Sequence, residues 1–200
     1  MKVLVVSEGK HEQAGGLEGL LKRLGGTRAF YEFDRVSNSR IHAFHGKGPG
    51  YFKRAIRWLK EAESRQVDVL VLLIDEDGRR ERVKQIRDAQ DFFMSRFPRA
   101  MGVAIRTFDA WMLADEKTLT EVLGYQVNRQ PDPESIRNPK QVCADLLAKS
   151  QNQMSQSEMY ARVSSEIDVD ILSDRCQSGF KLFATSVRRV FEQIVNSQSG

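Results

Sequence analysis

Two stretches of this chain are almost continuously apolar, KVLVVS (2–7) and VDVLVLLID (67–75), and a third, MGVAIRTF (101–108), is nearly so. Short runs rich in Val, Leu and Ile are expected of strands covered on both faces. RAFYEFDRV and RIHAFH read as a further strand or hairpin. Between these runs the apolar positions recur at helical spacing. LEGLLKRLG is expected to stop at Gly25–Gly26, and PGYFKRAIRWLKEAESR carries Phe52, Ala55, Ile56, Leu59 and Ala62 on one face. GRRERVKQIRDAQDFFMSRF predicts a long amphipathic helix ending before Pro98, and DAWMLADEKTLTEVLG another helical stretch. This alternation predicts an α/β fold with a mostly parallel sheet flanked by helices.

After Gly124 the pattern changes. NRQPDPESIRNP holds three prolines among polar residues, which marks a surface linker. Only helical patterns follow: PKQVCADLLAKS, QSEMYARVSSEI and SGFKLFATSVRRVFEQIV. In the last, Phe180, Phe183, Ala184, Val187, Val190, Phe191 and Ile194 form one stripe, expected to face a core. The division expected is a sheet domain over residues 1–125 and an all-helical extension over 126–200 packed on it.

Composition narrows the class. Two hundred residues with 40% hydrophobic and 29% charged content fit a globular protein with a sizeable core. No apolar run approaches the ~20 residues that span a bilayer, and MKVLVV is not followed by a cleavage signal, so a cytoplasmic location without membrane attachment is expected. Cys143 and Cys176 lack any metal or disulfide spacing and read as half-buried free thiols. The net charge of +4 permits nucleic-acid binding without requiring it. Its distribution is more pointed: residues 35–60 hold seven Lys/Arg and no acid. The aromatics of FKRAIRWLKEA are expected in the core. The loop SRIHAFHGKGPGY, with Arg40, His45 and Lys47, and then Lys53 on the helix, are the candidate nucleic-acid contacts.

Three predicted strands run into acids: Glu8 after the first, Asp75 and Asp77 after the middle one, and Asp109 after MGVAIRTF. Open α/β sheets bind ligands beyond the carboxyl ends of their strands. In an extended segment Asp75 and Asp77 would point the same way and Glu76 the other. Glu12, one turn past Glu8, could lean toward the same place. Carboxylates so placed suit Mg2+ or Mn2+, which take hard oxygen ligands. Each acid also has a plainer reading: Asp109 as a helix cap, Glu12 as a first-turn acid, DEDG as a turn.

SEGKHE followed by LIDEDG resembles the Toprim domain of topoisomerases, primases and overcoming-lysogenisation-type nucleases. With FDAWMLAD, MYARV and RCQSGF the whole chain resembles a Toprim-related family catalogued as domain of unknown function 4276. Ser7 stands where that family often has Val, and Asp109 where Glu is usual. The resemblance implies a Toprim-like (Rossmann-like) sheet and Glu8 as general acid/base, with Asp75 and Asp77 as a metal pair. It further implies a metal-dependent nuclease, working as the effector subunit of a defence or DNA-processing system beside an ABC- or SMC-type ATPase. Phosphodiester hydrolysis would use one ion on Glu8, Asp75 and Asp77, and a second on Glu12 and Asp109. Arg79, Arg80 and Arg82 could hold flanking phosphates. The C-terminal helices offer a docking or homo-oligomer surface. Two readings from other classes stand beside this one. A non-catalytic subunit could bind nucleic acid or an ATPase partner, and a receiver-like signalling module also places acids after its first and third strands. A DxD glycosyltransferase is a weaker third.

Overall fold

The computed structural model describes residues 1–38, 40 and 50–198. Four strands, β1 (Lys2–Ser7), β2 (Phe30–Arg35), β3 (Val69–Asp75) and β4 (Arg99–Ala104), form one parallel sheet in the order β2-β1-β3-β4. The apolar runs of β1 and β3 occupy its centre because both of their faces are covered. Val3, Val5, Val69, Val71 and Leu73 point to one face, Leu4, Val6, Leu70, Leu72 and Ile74 to the other, and all are buried. β2, at an edge, is less apolar and leaves Phe30 65% exposed.

Two helices cover one face. α2 (Gly50–Ser64) buries Ala55, Ile56, Trp58, Leu59 and Ala62, and α3 (Glu81–Gln90) buries Ile86 and Ala89. The other face carries α1 (Leu17–Leu21), α4 (Asp109–Met112), α5 (Glu116–Leu123), α6 (Pro139–Ala148), α7 (Gln156–Glu166), α8 (Val169–Arg175) and α9 (Phe180–Gln198). The predicted stripe of α9 lies in that layer, with Phe180, Phe183, Val187, Val190 and Phe191 buried and Ile194 packed against it. Residues of α5 to α9 thus share one core with β1, β3 and β4. Burying ten apolar side chains such as these stabilises the layer by roughly 15–30 kcal/mol before entropy is counted.

Local chemistry sets the helix ends. Asp115 caps α5 by accepting the Lys117 and Thr118 amides, and Gly124 ends it in the left-handed conformation at φ +75°. Ser155 and Glu158 form a reciprocal capping box at α7. Wide turns at Glu12–Gly16 and Lys22–Gly26 flank α1, each broken by a glycine at positive φ (Gly15 and Gly25). Gly19 lets α1 approach α7 so closely that a Cβ would lie 2.8 Å from the Ser164 carbonyl carbon.

Several expectations are corrected. The long helix before Pro98 ends at Gln90. Turns follow that leave Phe93 and Met94 89% and 73% exposed, while Phe92 and Phe97 pack against the core and the Arg99 guanidinium donates to the Phe92, Ser95 and Phe97 carbonyls. The strand MGVAIRTF begins at Arg99 and ends at Ala104, so Asp109 stands five residues past it, in α4. DAWMLADEKTLTEVLG is two helices, and α8 was not foreseen. Cys143 and Cys176 are both free and fully buried rather than half-buried. No described helix is long and apolar enough to cross a membrane.

Candidate functional site

The order β2-β1-β3-β4 contains a reversal. The chain leaves β1 toward α1 on one face and leaves β3 toward α3 on the other, so a crevice opens between their carboxyl ends. Ligands of doubly wound sheets bind at such a switch point. Glu8 and Asp75 flank it, and they touch: Glu8 Oε2 accepts the Asp75 amide at 2.9 Å. Glu8 Oε1 accepts the Tyr51 hydroxyl at 2.6 Å, which brings α2 to the same place.

Asp77 does not continue β3. Its backbone is left-handed (φ +51°), and its amide donates to the Arg106 carbonyl at 2.9 Å. The i, i+2 argument therefore fails for the pair, since β3 ends at Asp75. Asp77 is half exposed (side chain 52%), and its Oδ2 accepts Arg82 Nη1 at 2.9 Å. Glu76 does face away: it is buried and accepts the Arg106 amide at 3.3 Å.

Arg82 is the largest departure from expectation. It is buried at 6% exposure instead of reaching for solvent phosphates. Its Nη1 donates to the Asp75 carbonyl at 2.6 Å and lies 3.7 Å from Glu8 Oε2, while its guanidinium sits 4.4 Å from the Tyr51 ring centre. The first-turn position of α3 aims it back at the strand end.

Deeper in the crevice Glu12 and Asp109 join Asp75. Asp75 Oδ1 accepts the Phe108 amide at 2.8 Å. Burial, then the charges of Glu12, Glu8 and Asp77, push its carboxyl well above the ordinary range. Glu12 is 4% exposed and accepts the Gly9 amide at 3.2 Å. Burial raises its carboxyl too, helped by Asp109 and Glu8. Gly9 makes room for it, since a Cβ there would lie 2.0 Å from Glu12 Oε2. Asp109 caps nothing; it is buried and accepts the hydroxyl of Tyr160 from α7. The Tyr160 ring packs beside His11, whose Nδ1 is 2.9 Å from Ser157 Oγ.

Electrostatics thus link the five acids in a chain: Asp75 feels Glu12, Glu8 and Asp77, and Glu12 feels Asp109 and Glu8. Their oxygen-only donor set suits Mg2+ or Mn2+. Their conformations are a different matter. Among the described residues no group of three or more His, Cys, Asp or Glu is disposed to hold a metal ion, and Tyr51 and Arg82 engage Glu8 and Asp77. Of the expected nucleic-acid contacts, Arg79 and Arg80 are exposed just past Gly78. Lys53 is half-buried on α2, and the exposed Arg40 donates its amide to Asn38. His45 and Lys47 lie outside the described residues. Arg82, expected at flanking phosphates, binds the acids instead; the parts played by Tyr51 and Tyr160 escaped sequence reasoning, and no spacing could have found them, since Tyr51 is 43 positions from Glu8 and Tyr160 is 51 from Asp109.

Fold and site define a doubly wound parallel-sheet protein with an acidic crevice at its switch point. The chain belongs to the family described as Domain of unknown function (DUF4276), whose model matches residues 8–188. No curated protein and no solved structure matches it.

Proposed function

We propose that this chain is a Mg2+- or Mn2+-dependent phosphodiester hydrolase of nucleic acid built on a Toprim-like site. The observation that carries this is the convergence of five carboxylates from β1, β3, α4 and the first helical turn on the switch-point crevice. Two of the five, Glu12 and Asp109, are buried, with no cationic side chain bonded to either carboxylate among the described residues. Like charges held this close favour a bound cation. Asp75, Glu8 and Asp77 would hold one ion and Glu12 with Asp109 a second. Such an ion polarises a scissile phosphate and lowers the pKa of a bound water.

The chain's own groups do the rest. Glu8, on a backbone amide and a tyrosine hydroxyl, is the group placed to move a proton at the crevice mouth. Tyr160 fixes the Asp109 carboxylate, and Gly9 admits the Glu12 carboxylate. A partner ATPase is consistent with the family resemblance and with this chain's lack of an ATP motif.

One observation favours a second reading. Arg82 already supplies a positive charge to Glu8 and Asp77, as it would in a non-catalytic subunit whose former metal site is locked. Thermal unfolding in millimolar Mn2+, for wild type, Glu8→Gln and Asp77→Asn, separates the two. An ion at a hundred times its dissociation constant stabilises by about 2.7 kcal/mol. The hydrolase reading expects a rise of roughly 5–11 °C in wild type, at 2–4 °C per kcal/mol, lost in both variants together with metal-dependent cleavage. No rise in wild type, or cleavage unchanged in both variants, would sink it.

A further inference from the structure

Beside the acids lies a feature of opposite sign. A cleft of about 310 Å3 opens between the turns after β3 and β4 and the start of α6, lined by Asp77, Arg106, Thr107, Arg137, Asn138 and Lys140. Three of those six are cations, and none of the three forms an ion pair among the described residues. The Thr107 hydroxyl is buried and lacks a hydrogen-bond partner there.

Arg106 is held in a left-handed backbone conformation, φ +63°, which bulky residues rarely adopt. Its amide donates to Glu76 Oε2 and its carbonyl accepts the Asp77 amide, so two bonds to the turn after β3 enforce it. Backbone strain of this kind persists where the surroundings over-determine it, often at ligand sites. At the far wall α6, ten residues long, presents its N-terminus, with Asn138 as cap and Pro139 next. That end of a helix favours anions.

We infer that this cleft binds a backbone phosphate of a single nucleic-acid strand next to the phosphate at the acid cluster, clamped by Arg106, Arg137 and Lys140. The inference rests on the phosphodiester reading above. Asp77 lines both the cleft and the acid cluster, so the two are continuous. A polyanion approaching five carboxylates meets repulsion unless cations beside them neutralise the flanking charge. The cleft is at the small end of ligand pockets, which suits one phosphate with its sugar and excludes a duplex.

The test is fluorescence anisotropy of labelled oligothymidylate with the full chain in EDTA, which blocks hydrolysis, across a range of KCl. Arg137 and Lys140 are exposed, so Arg137→Gln with Lys140→Gln should melt as wild type does. The double variant is expected to bind about tenfold or more weakly. Its log–log salt slope should be shallower by about 1.4, for two lost contacts to a single strand. Arg28→Gln with Lys149→Gln, which removes the same charge at exposed sites outside the cleft, should bind like wild type. No binding by wild type overturns the inference, as does equal binding by the cleft variant or an equal loss in the control. The Mn2+ melting response of the same proteins reports separately on the metal reading. If Mn2+ stabilises none of them while the cleft variant alone loses binding, the cleft stands and the hydrolase does not.

Discussion

Arg82→Met asks whether the guanidinium and a divalent ion serve the same acids. Met keeps most of the stem that packs beneath Tyr51 and removes the charge, the 2.6 Å bond to the Asp75 carbonyl and the 2.9 Å bond to Asp77. Removing one partner of a buried ion pair costs about 3–5 kcal/mol. Here Arg82 is buried, but Glu8 and Asp77 keep side-chain exposures of 23% and 52%, so water recovers part of that. A loss of about 2–3 kcal/mol is expected, or roughly 4–12 °C for a chain of this length. Thermal unfolding of wild type and variant in EDTA measures it. In saturating Mn2+ the ion takes over the compensation of Glu8 and Asp77 more easily once the guanidinium is gone. The gap between the two proteins should therefore shrink to less than half. A gap equal in EDTA and Mn2+ would refute the reasoning and leave Arg82 as a permanent structural counter-charge.

Two further expectations concern the buried acids. Asp75 and Glu12 have folded carboxyls raised above their ordinary values of 3.8 and 4.5, so the native state binds protons more readily than the unfolded chain. Their contribution is fully present below those values and lost as pH rises through the raised ones; Asp75→Asn should therefore stabilise the metal-free protein near neutrality and flatten that decline, read as urea midpoints from acid to neutral pH. A variant less stable than wild type near neutrality would contradict this assignment. Tyr160→Phe leaves the buried Asp109 carboxylate without its hydroxyl donor and should cost about 1–3 kcal/mol in a urea titration, with the Mn2+ response weakened; an unchanged midpoint would show that Asp109 finds another donor.

The alternation of apolar runs and helical stripes was enough to place the four described strands and most of the described helices, because covering both faces of a parallel sheet demands continuous Val and Leu runs such as VLVLLI; the expected strand at RIHAFH falls almost wholly outside the described residues. It also put Glu8 and Asp75 at the carboxyl ends of β1 and β3, since strand ends in such a sheet share one rim. It misjudged Asp77, whose left-handed turn depends on the hydrogen bond to Arg106 from the neighbouring strand. Nor could it foresee that α3 stops at Gln90 although the helical pattern continues, since the Arg99 guanidinium of β4 takes the Phe92, Ser95 and Phe97 carbonyls into turns. The partners of the acids were decided by packing alone. Tyr51 arrives from α2, Arg82 from the first turn of α3, and Tyr160 from α7, each delivered by the layer its apolar face must join. Sequence period specifies which side of an element is buried; it carries no record of which distant element will be buried against it, and at this crevice that choice sets the charge.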